Sequence, residues 1–280
     1  MPYSLTMTLQ SVDPSRPAPH QYGRALHGLF YTWLRRGGPA MATAIHEQDG
    51  ARPFTVSPVR RPTDGAGTYA FRLTLLDDAL LTLLTAGLDW KREALVEQHP
   101  CVIVATDGQP YRITQTLCGY ENEGLRIKRN PCSYEELLRD ARAETTLVLR
   151  FLSPTAFHSR KMQYPLPDPV LLFSSFLTRW NAFAPAACRI NESLLDVVTQ
   201  HVAISRHQLR TEAADFGRYP QIGFVGEVHY RVLRPRKLGA GVLRSLNALA
   251  DYAAFCGTGH HTAQGLGQTV RVHRPAARSP

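Results

Sequence analysis

The apolar positions switch between alternating and helical spacing along the 280-residue chain, and the switches recur in two similar halves. In residues 3–12, Leu5, Met7 and Leu9 share one face at period two, which predicts a strand. Across 21–35, Tyr22, Leu26, Leu29, Phe30 and Trp33 recur at helical spacing, and a second helical piece, Ala40 to His46, follows Gly37-Gly38-Pro39. Thr55-Val56-Ser57 reads as a short strand stopped by Pro58, and Tyr69 to Leu75 alternates again. Asp77-Asp78 give an N-cap signal for a helix through Leu88. Strands are expected at Cys101–Thr106 and Arg112–Cys118.

The second half repeats this order. Thr145–Phe151 reads as a strand ended by Ser153-Pro154, Pro169–Phe183 as a helix and Asn191–Val198 as a short helix. Val202–Leu209 and Ile222–Leu233 read as strands, Gly239–Phe255 as a helix and Gln268–Val272 as the closing strand. There is no short-period repeat; the recurrence is one of architecture. It predicts an α+β chain of two tandem ferredoxin-like (RRM-like, βαββαβ) domains. The division is expected in the polar stretch 130–144, giving domains 1–140 and 141–280, each long enough for its own core.

Between the last helix and the last strand lies Cys256-Gly257-Thr258-Gly259-His260-His261-Thr262-Ala263-Gln264-Gly265-Leu266-Gly267-Gln268. Glycine permits positive φ and close approach of the backbone to a partner. Such a loop is expected to turn its N–H groups toward an anion. It is not a Walker loop, because no Lys-Ser/Thr follows, and it leads from helix to strand, the reverse of a dinucleotide fingerprint.

Charge sharpens the choice of anion. Thirty-two Lys and Arg against 23 Asp and Glu leave a net +9. A basic balance favours polyanions, nucleic acid foremost, while solubility charge is the plainer alternative. Candidate contacts are Gly257, Gly259, His260, His261, Gly265 and Gly267 in the loop, with Arg206, Arg210 and Arg218 as one ridge and Arg231 beyond it. Arg126-Ile127-Lys128-Arg129 is a further basic cluster without an assignable role. Cys101, Cys118, Cys132, Cys188 and Cys256 are odd in number and show no C-x-x-C spacing. Neither a disulfide framework nor a zinc site is expected. No signal peptide and no membrane-length apolar run is visible, so a cytoplasmic location is expected.

Several segments in order carry a family likeness. They are Leu26-His27-Gly28-Leu29-Phe30-Tyr31, Ile45-His46-Glu47 and Arg52-Pro53-Phe54-Thr55-Val56-Ser57 in the first half. Phe151-Leu152-Ser153-Pro154-Thr155-Ala156-Phe157, Leu166-Pro167-Asp168-Pro169, Arg179-Trp180-Asn181, Phe224-Val225-Gly226-Glu227-Val228 and the glycine loop follow in the second. The chain resembles the CRISPR precursor-RNA-processing endoribonucleases of the RAMP superfamily, whose hallmark is a glycine-rich loop before the last strand. That resemblance implies metal-free RNA cleavage with no cofactor, with His46, Tyr31 and Arg52 at the catalytic positions. Lysine is commoner where Arg52 stands, and guanidinium does not serve as an acid at ordinary pH, so Arg52 is restricted to charge stabilisation.

Elementary chemistry agrees with those residue types. Attack by the RNA's own 2′-hydroxyl needs a base at that oxygen, an acid at the leaving 5′-oxygen and positive charge on the phosphorane. Histidine suits the first two roles and arginine the third. The expected products are a 2′,3′-cyclic phosphate and a 5′-hydroxyl. His46 in the last turn of a helix also suits simple capping. His27, one turn before Tyr31, is the reserve catalyst. The expected partner is CRISPR repeat RNA or precursor crRNA, with the protein a monomer or homodimer. The competing reading is a non-catalytic RNA-holding RAMP subunit of a CRISPR effector complex.

Overall fold

The computed structural model describes residues 1–13, 15, 24–47, 50–61, 67–88, 101–104, 110–118, 121–122, 125–126, 132–159, 161–216 and 219–273. The first half contains β1 (Tyr3–Ser11), α1 (Arg24–Gly37), α2 (Pro39–Glu47), β2 (Phe54–Val56), β3 (Thr68–Leu75), α3 (Asp78–Gly87), β4 (Cys101–Val104) and β5 (Pro110–Cys118). The strands form one antiparallel sheet in the order β2-β3-β1-β5-β4. The alternation in β1 decides which face is covered: Leu5, Met7 and Leu9 are buried in the core that includes Leu29, Phe30, Trp33 and Leu34 of α1 and Leu80, Leu81 and Leu84 of α3. Asp77 caps α3 as expected, its carboxylate accepting from the Ala79 amide.

A two-residue ladder, β6 (Glu121–Asn122) with β7 (Leu125–Arg126), leads to α4 (Tyr134–Arg139). The polar stretch around 133–139 therefore folds as a helix. Ser133 and Glu136 close a capping box, and Tyr134 is buried against Trp180 and Tyr252, with Leu137 and Leu138 packed partly buried on the same core.

The second half contains β8 (Thr146–Thr155), β9 (Phe157–Ser159), β10 (Met162–Tyr164), α5 (Pro169–Phe183), α6 (Leu194–His201), β11 (Val202–Ala214), β12 (Gln221–Val232), α7 (Ala240–Cys256) and β13 (Thr269–Arg271). The sheet order is β11-β12-β8-β13, all antiparallel, so each half has the strand arrangement of a ferredoxin-like fold. Several boundaries differ from expectation: β11, for one, runs on to Ala214 rather than ending at Leu209, because it pairs with β12 along its whole length. β8 continues through Pro154, because the register of β12 shifts between Phe224 and Gly226 and no ladder bond is asked of the proline nitrogen there. α6 begins at Leu194, after a turn in which the Asn191 side chain accepts from the Ser193 amide. The β9–β10 hairpin was not legible as strands, since each arm is three residues long.

The two halves meet through polar side chains as well as through Ala263, buried in the first core, and Leu76, buried in the second. Arg72 of β3 donates to the Gln268 side chain, and the Thr74 hydroxyl donates to the Phe255 carbonyl at 2.6 Å. The Tyr134 hydroxyl donates to the Leu76 carbonyl at 3.1 Å. These bonds fix where the loop after α7 lies against the first half.

Candidate active site and RNA-binding surface

α1 carries His27 and Tyr31 one turn apart, so both project from the same face. Their rings lie 4.9 Å apart, and Phe54 of β2 packs against both, at 5.7 and 5.6 Å. α2 brings His46 to the other side of this group in its last turn; its ring meets Tyr31 edge-on at 5.0 Å. Tyr31 is therefore flanked by two imidazoles. It is buried, while His46 is exposed. Burial pushes the Tyr31 phenol above its ordinary pKa, opposed by the charges of Arg52 and Arg35. The phenol hydrogen is directed at the Ile45 carbonyl, 3.4 Å away.

Arg52 also reaches this corner. Its guanidinium donates to the Ile45 carbonyl at 2.7 Å and to the His46 carbonyl at 3.2 Å. It thereby caps the C-terminal end of α2 with a cation, a favourable placement against the helix dipole. The same contacts hold the backbone that carries His46. The four residues expected from the sequence, His46, Tyr31, Arg52 and the reserve His27, thus converge.

The glycine loop meets this corner from the second half. The Ala263 carbonyl lies 3.1 Å from His27 Nδ1, and Ala263 is buried in the first core. Most of the loop's amides, however, are turned to acceptors within the second half rather than outward. Thr258 N–H donates to Gly267 O, Gly259 N–H to Ser175 Oγ, His260 N–H to Ala156 O and Gly267 N–H to Pro154 O. Gln268 N–H donates to Ser153 Oγ. The reason is steric: the chain crosses itself so closely that a Cβ on Gly259 would lie 2.1 Å from Ala156 O, and one on Gly267 2.0 Å from Thr258 O. Both residues also have positive φ, as do Gly257 and Gly265. The glycines are spent on building the loop; of its two histidines His261 is exposed, whereas His260 is partly buried with its Nε2 enclosed, and their rings lie 4.5 Å apart. Burial, then the neighbouring His261 and His158, draw His260 down to about 4.

On the open face of the second sheet lies a groove of about 520 Å³. Arg206 and Arg210 of β11 line it, as expected, together with Arg60 from the first half and Arg150 of β8. Glu227 sits among these charges, accepting from Arg150 at 3.1 Å and lying 3.0 Å from His229 Nε2. Arg210 is bridged to Glu212 at 2.6 Å, so its charge is partly spoken for. Arg231 is exposed on β12, two residues beyond His229 and on the same face by strand alternation. Arg218 lies outside the described residues, as do residues 127–129. Arg60 and Arg150 escaped the sequence reading. Arg150 could have been found as the lone charge in Thr-Thr-Leu-Val-Leu-Arg-Phe, whereas Arg60 enters only through tertiary placement. Among the described residues no group of three His, Cys, Asp or Glu side chains is placed to hold a metal ion, and no helix is long and apolar enough to cross a membrane.

Known proteins share this fold. The family model for CRISPR-associated endoribonuclease Cas6 matches residues 149–269, and the model for the Cas6 N-terminal domain matches residues 1–68. A CRISPR-associated endoribonuclease Cas6 of Streptococcus thermophilus is 24% identical over 132 residues, 47% of this chain and 53% of that protein. The chain thus matches about half the length of that curated relative. A solved Cas6 product complex superposes with a TM-score of 0.78 at 28% identity, over 97% of this chain and 100% of that one. A structure titled Thermus thermophilus Cas6 gives 0.70 at 28% identity, over 97% and 98%. With both halves matched in order by models of one family, and its fold shared over nearly the whole chain, the chain belongs to the Cas6 family of CRISPR-associated endoribonucleases.

Proposed function

We propose that this protein is an endoribonuclease that binds CRISPR repeat RNA and cuts precursor crRNA without a metal ion, by attack of the 2′-hydroxyl on the adjacent phosphate. The observation that carries the reading is the pair of imidazoles, His27 and His46, on either side of the buried Tyr31. One takes the 2′-hydroxyl proton as the new P–O2′ bond forms; the other protonates the 5′-oxygen as the P–O5′ bond breaks. The products are a 2′,3′-cyclic phosphate and a 5′-hydroxyl, and atoms and charge balance with no further reactant. Arg52 supplies positive charge beside the group while holding the end of α2. Tyr31, with its pKa raised, stays a neutral phenol, unsuited to act as the base but able to orient the 2′-hydroxyl or share in proton transfer.

The groove lined by Arg60, Arg150, Arg206 and Arg210 supplies the sequence-independent attraction for the RNA backbone. The solved relative whose title names a product complex supports the same use of the fold.

The test is incubation with a repeat RNA in excess EDTA, with end-group analysis of the fragments. Cleavage leaving a cyclic phosphate is expected, and a 2′-deoxy nucleotide 5′ of the cut should bind yet stay intact. Activity that vanishes in EDTA and returns with Mg²⁺ would overturn the metal-free route. Tight binding with no cutting at all would instead identify an RNA-holding subunit.

A further inference from the structure

The contact between His27 and the glycine loop fixes more than packing. A carbonyl oxygen only accepts, so the ring nitrogen facing Ala263 O at 3.1 Å must carry the hydrogen. In neutral His27 the proton therefore sits on Nδ1, and Nε2 is the basic nitrogen. A histidine's second nitrogen commonly sets its tautomer in this way. Here the orienting group comes from the other half of the molecule, across 236 positions of sequence.

The carbonyl is held in place by α5. Ala263 lies in a single 3-10 turn, Thr262–Gln264, bracketed by His261 and Gly265, both in the left-handed region. Just upstream, Ser175 and Arg179, one turn apart on α5, grip both ends of one loop residue. Ser175 Oγ accepts from the Gly259 amide at 3.0 Å, and Arg179 Nη2 donates to the Gly259 carbonyl at 2.6 Å. Arg179 also reaches Thr262 Oγ1 at 3.5 Å, the residue before Ala263, and anchors itself on Ser175 through Nη1. Among the described residues Arg179 has no carboxylate partner, although burial draws its pKa down. The guanidinium is partly buried, and its donors are spent on the loop and on Ser175.

We propose that Arg179, seconded by Ser175, is a positioning residue that acts through the glycine loop to hold the Ala263 carbonyl on His27 Nδ1, so that Nε2 of His27 is the general base of cleavage. The acid role then falls to the exposed His46. This assignment rests on the endoribonuclease reading, but the state of His27 can be read without RNA.

The experiment is nitrogen-15 NMR of histidine-labelled protein, with the His27 signals assigned by their loss in His27→Gln. Wild type should show Nδ1 protonated and Nε2 bare in the neutral ring. Arg179→Ala should mix the two tautomers and lower the single-turnover cleavage rate by about 10–100-fold, the usual worth of a group that orients a functional histidine. Repeat-RNA affinity should stay within about twofold, because Arg179 donates inward. Arg179→Lys, which keeps the charge and can still reach one carbonyl, should recover part of the rate and the wild-type tautomer. Wild-type His27 with its proton on Nε2, or an Arg179→Ala protein with unchanged tautomer and rate, would overturn the proposal. If Arg179→Ala does not fold, the wild-type spectrum and Arg179→Lys decide. Absence of cleavage by wild type, with the tautomer as described, would instead count against the endoribonuclease reading alone.

Discussion

Replacing Gly267 by alanine separates a loop that is a packed turn from a loop whose bare backbone is the RNA contact. The added Cβ would lie 2.0 Å from Thr258 O, where an ordinary contact needs about 3.5 Å, so one strand of the loop must move by more than an ångström. That movement breaks the Thr258 N–H to Gly267 O bond of 2.8 Å and the Gly267 N–H to Pro154 O bond of 3.0 Å. Each is worth about 1 kcal/mol net, and a non-glycine residue at φ +67° costs a further 1–2 kcal/mol or so. The expected loss of folding stability is about 3–4 kcal/mol, a large part of what a domain of this size has. Gly241→Ala, in the first turn of α7 with nothing within 4 Å of its new Cβ, serves as the control and should be neutral or stabilising by up to about 1 kcal/mol. Urea denaturation followed by circular dichroism measures both, and uncleavable repeat RNA titrated onto folded protein measures binding. Gly267→Ala with wild-type stability but lost RNA affinity would refute the packing argument and restore the loop backbone as the ligand surface.

His46→Ala should slow single-turnover cleavage by about 10²–10⁴ with little change in affinity, and near-wild-type cutting would remove His46 from the chemistry. Arg206→Ala should lower the salt slope of RNA binding by about one phosphate contact, while Arg210→Ala should lower it less because Glu212 already pairs with it. Glu212→Gln should accordingly tighten binding at low salt, and an unchanged affinity would place Arg210 off the RNA path. Arg271 is buried and pairs with the partly exposed Glu144 at 2.7 Å and Asp251 at 3.1 Å, so Arg271→Met should cost about 1–3 kcal/mol in urea unfolding, chiefly through its lost charge-assisted hydrogen bonds, the two carboxylates remaining accessible to water. His260 has a folded pKa of about 4 against 6.5 ordinarily, so the unfolded chain binds the extra proton between these values. Stability should therefore fall as pH drops from 6.5 toward 4, and His260→Gln should flatten that limb of a stability–pH curve.

The tandem architecture was legible because its cues are local. Leu5, Met7 and Leu9 alternate, Asp77 caps, and Pro169 opens α5, each reporting its own backbone without reference to distant residues. His46, Tyr31 and Arg52 could be picked only through the family resemblance, with His27 added by its helical spacing from Tyr31; that they converge is decided by the packing of α1, α2 and β2. What sequence could not carry is any relation set by chain crossing. That Gly259 and Gly267 serve their own loop rather than an anion follows from Ala156 O and Thr258 O, which no local pattern places beside them. Arg60 joins Arg150 in one groove, and Ala263 offers its carbonyl to His27, only because two separately readable halves dock through Arg72, Gln268 and Thr74. Local spacing determined the elements and the chemical types available; the docking of one sheet against the other decided which of those groups line one groove, which face each other, and which nitrogen of His27 meets the Ala263 carbonyl.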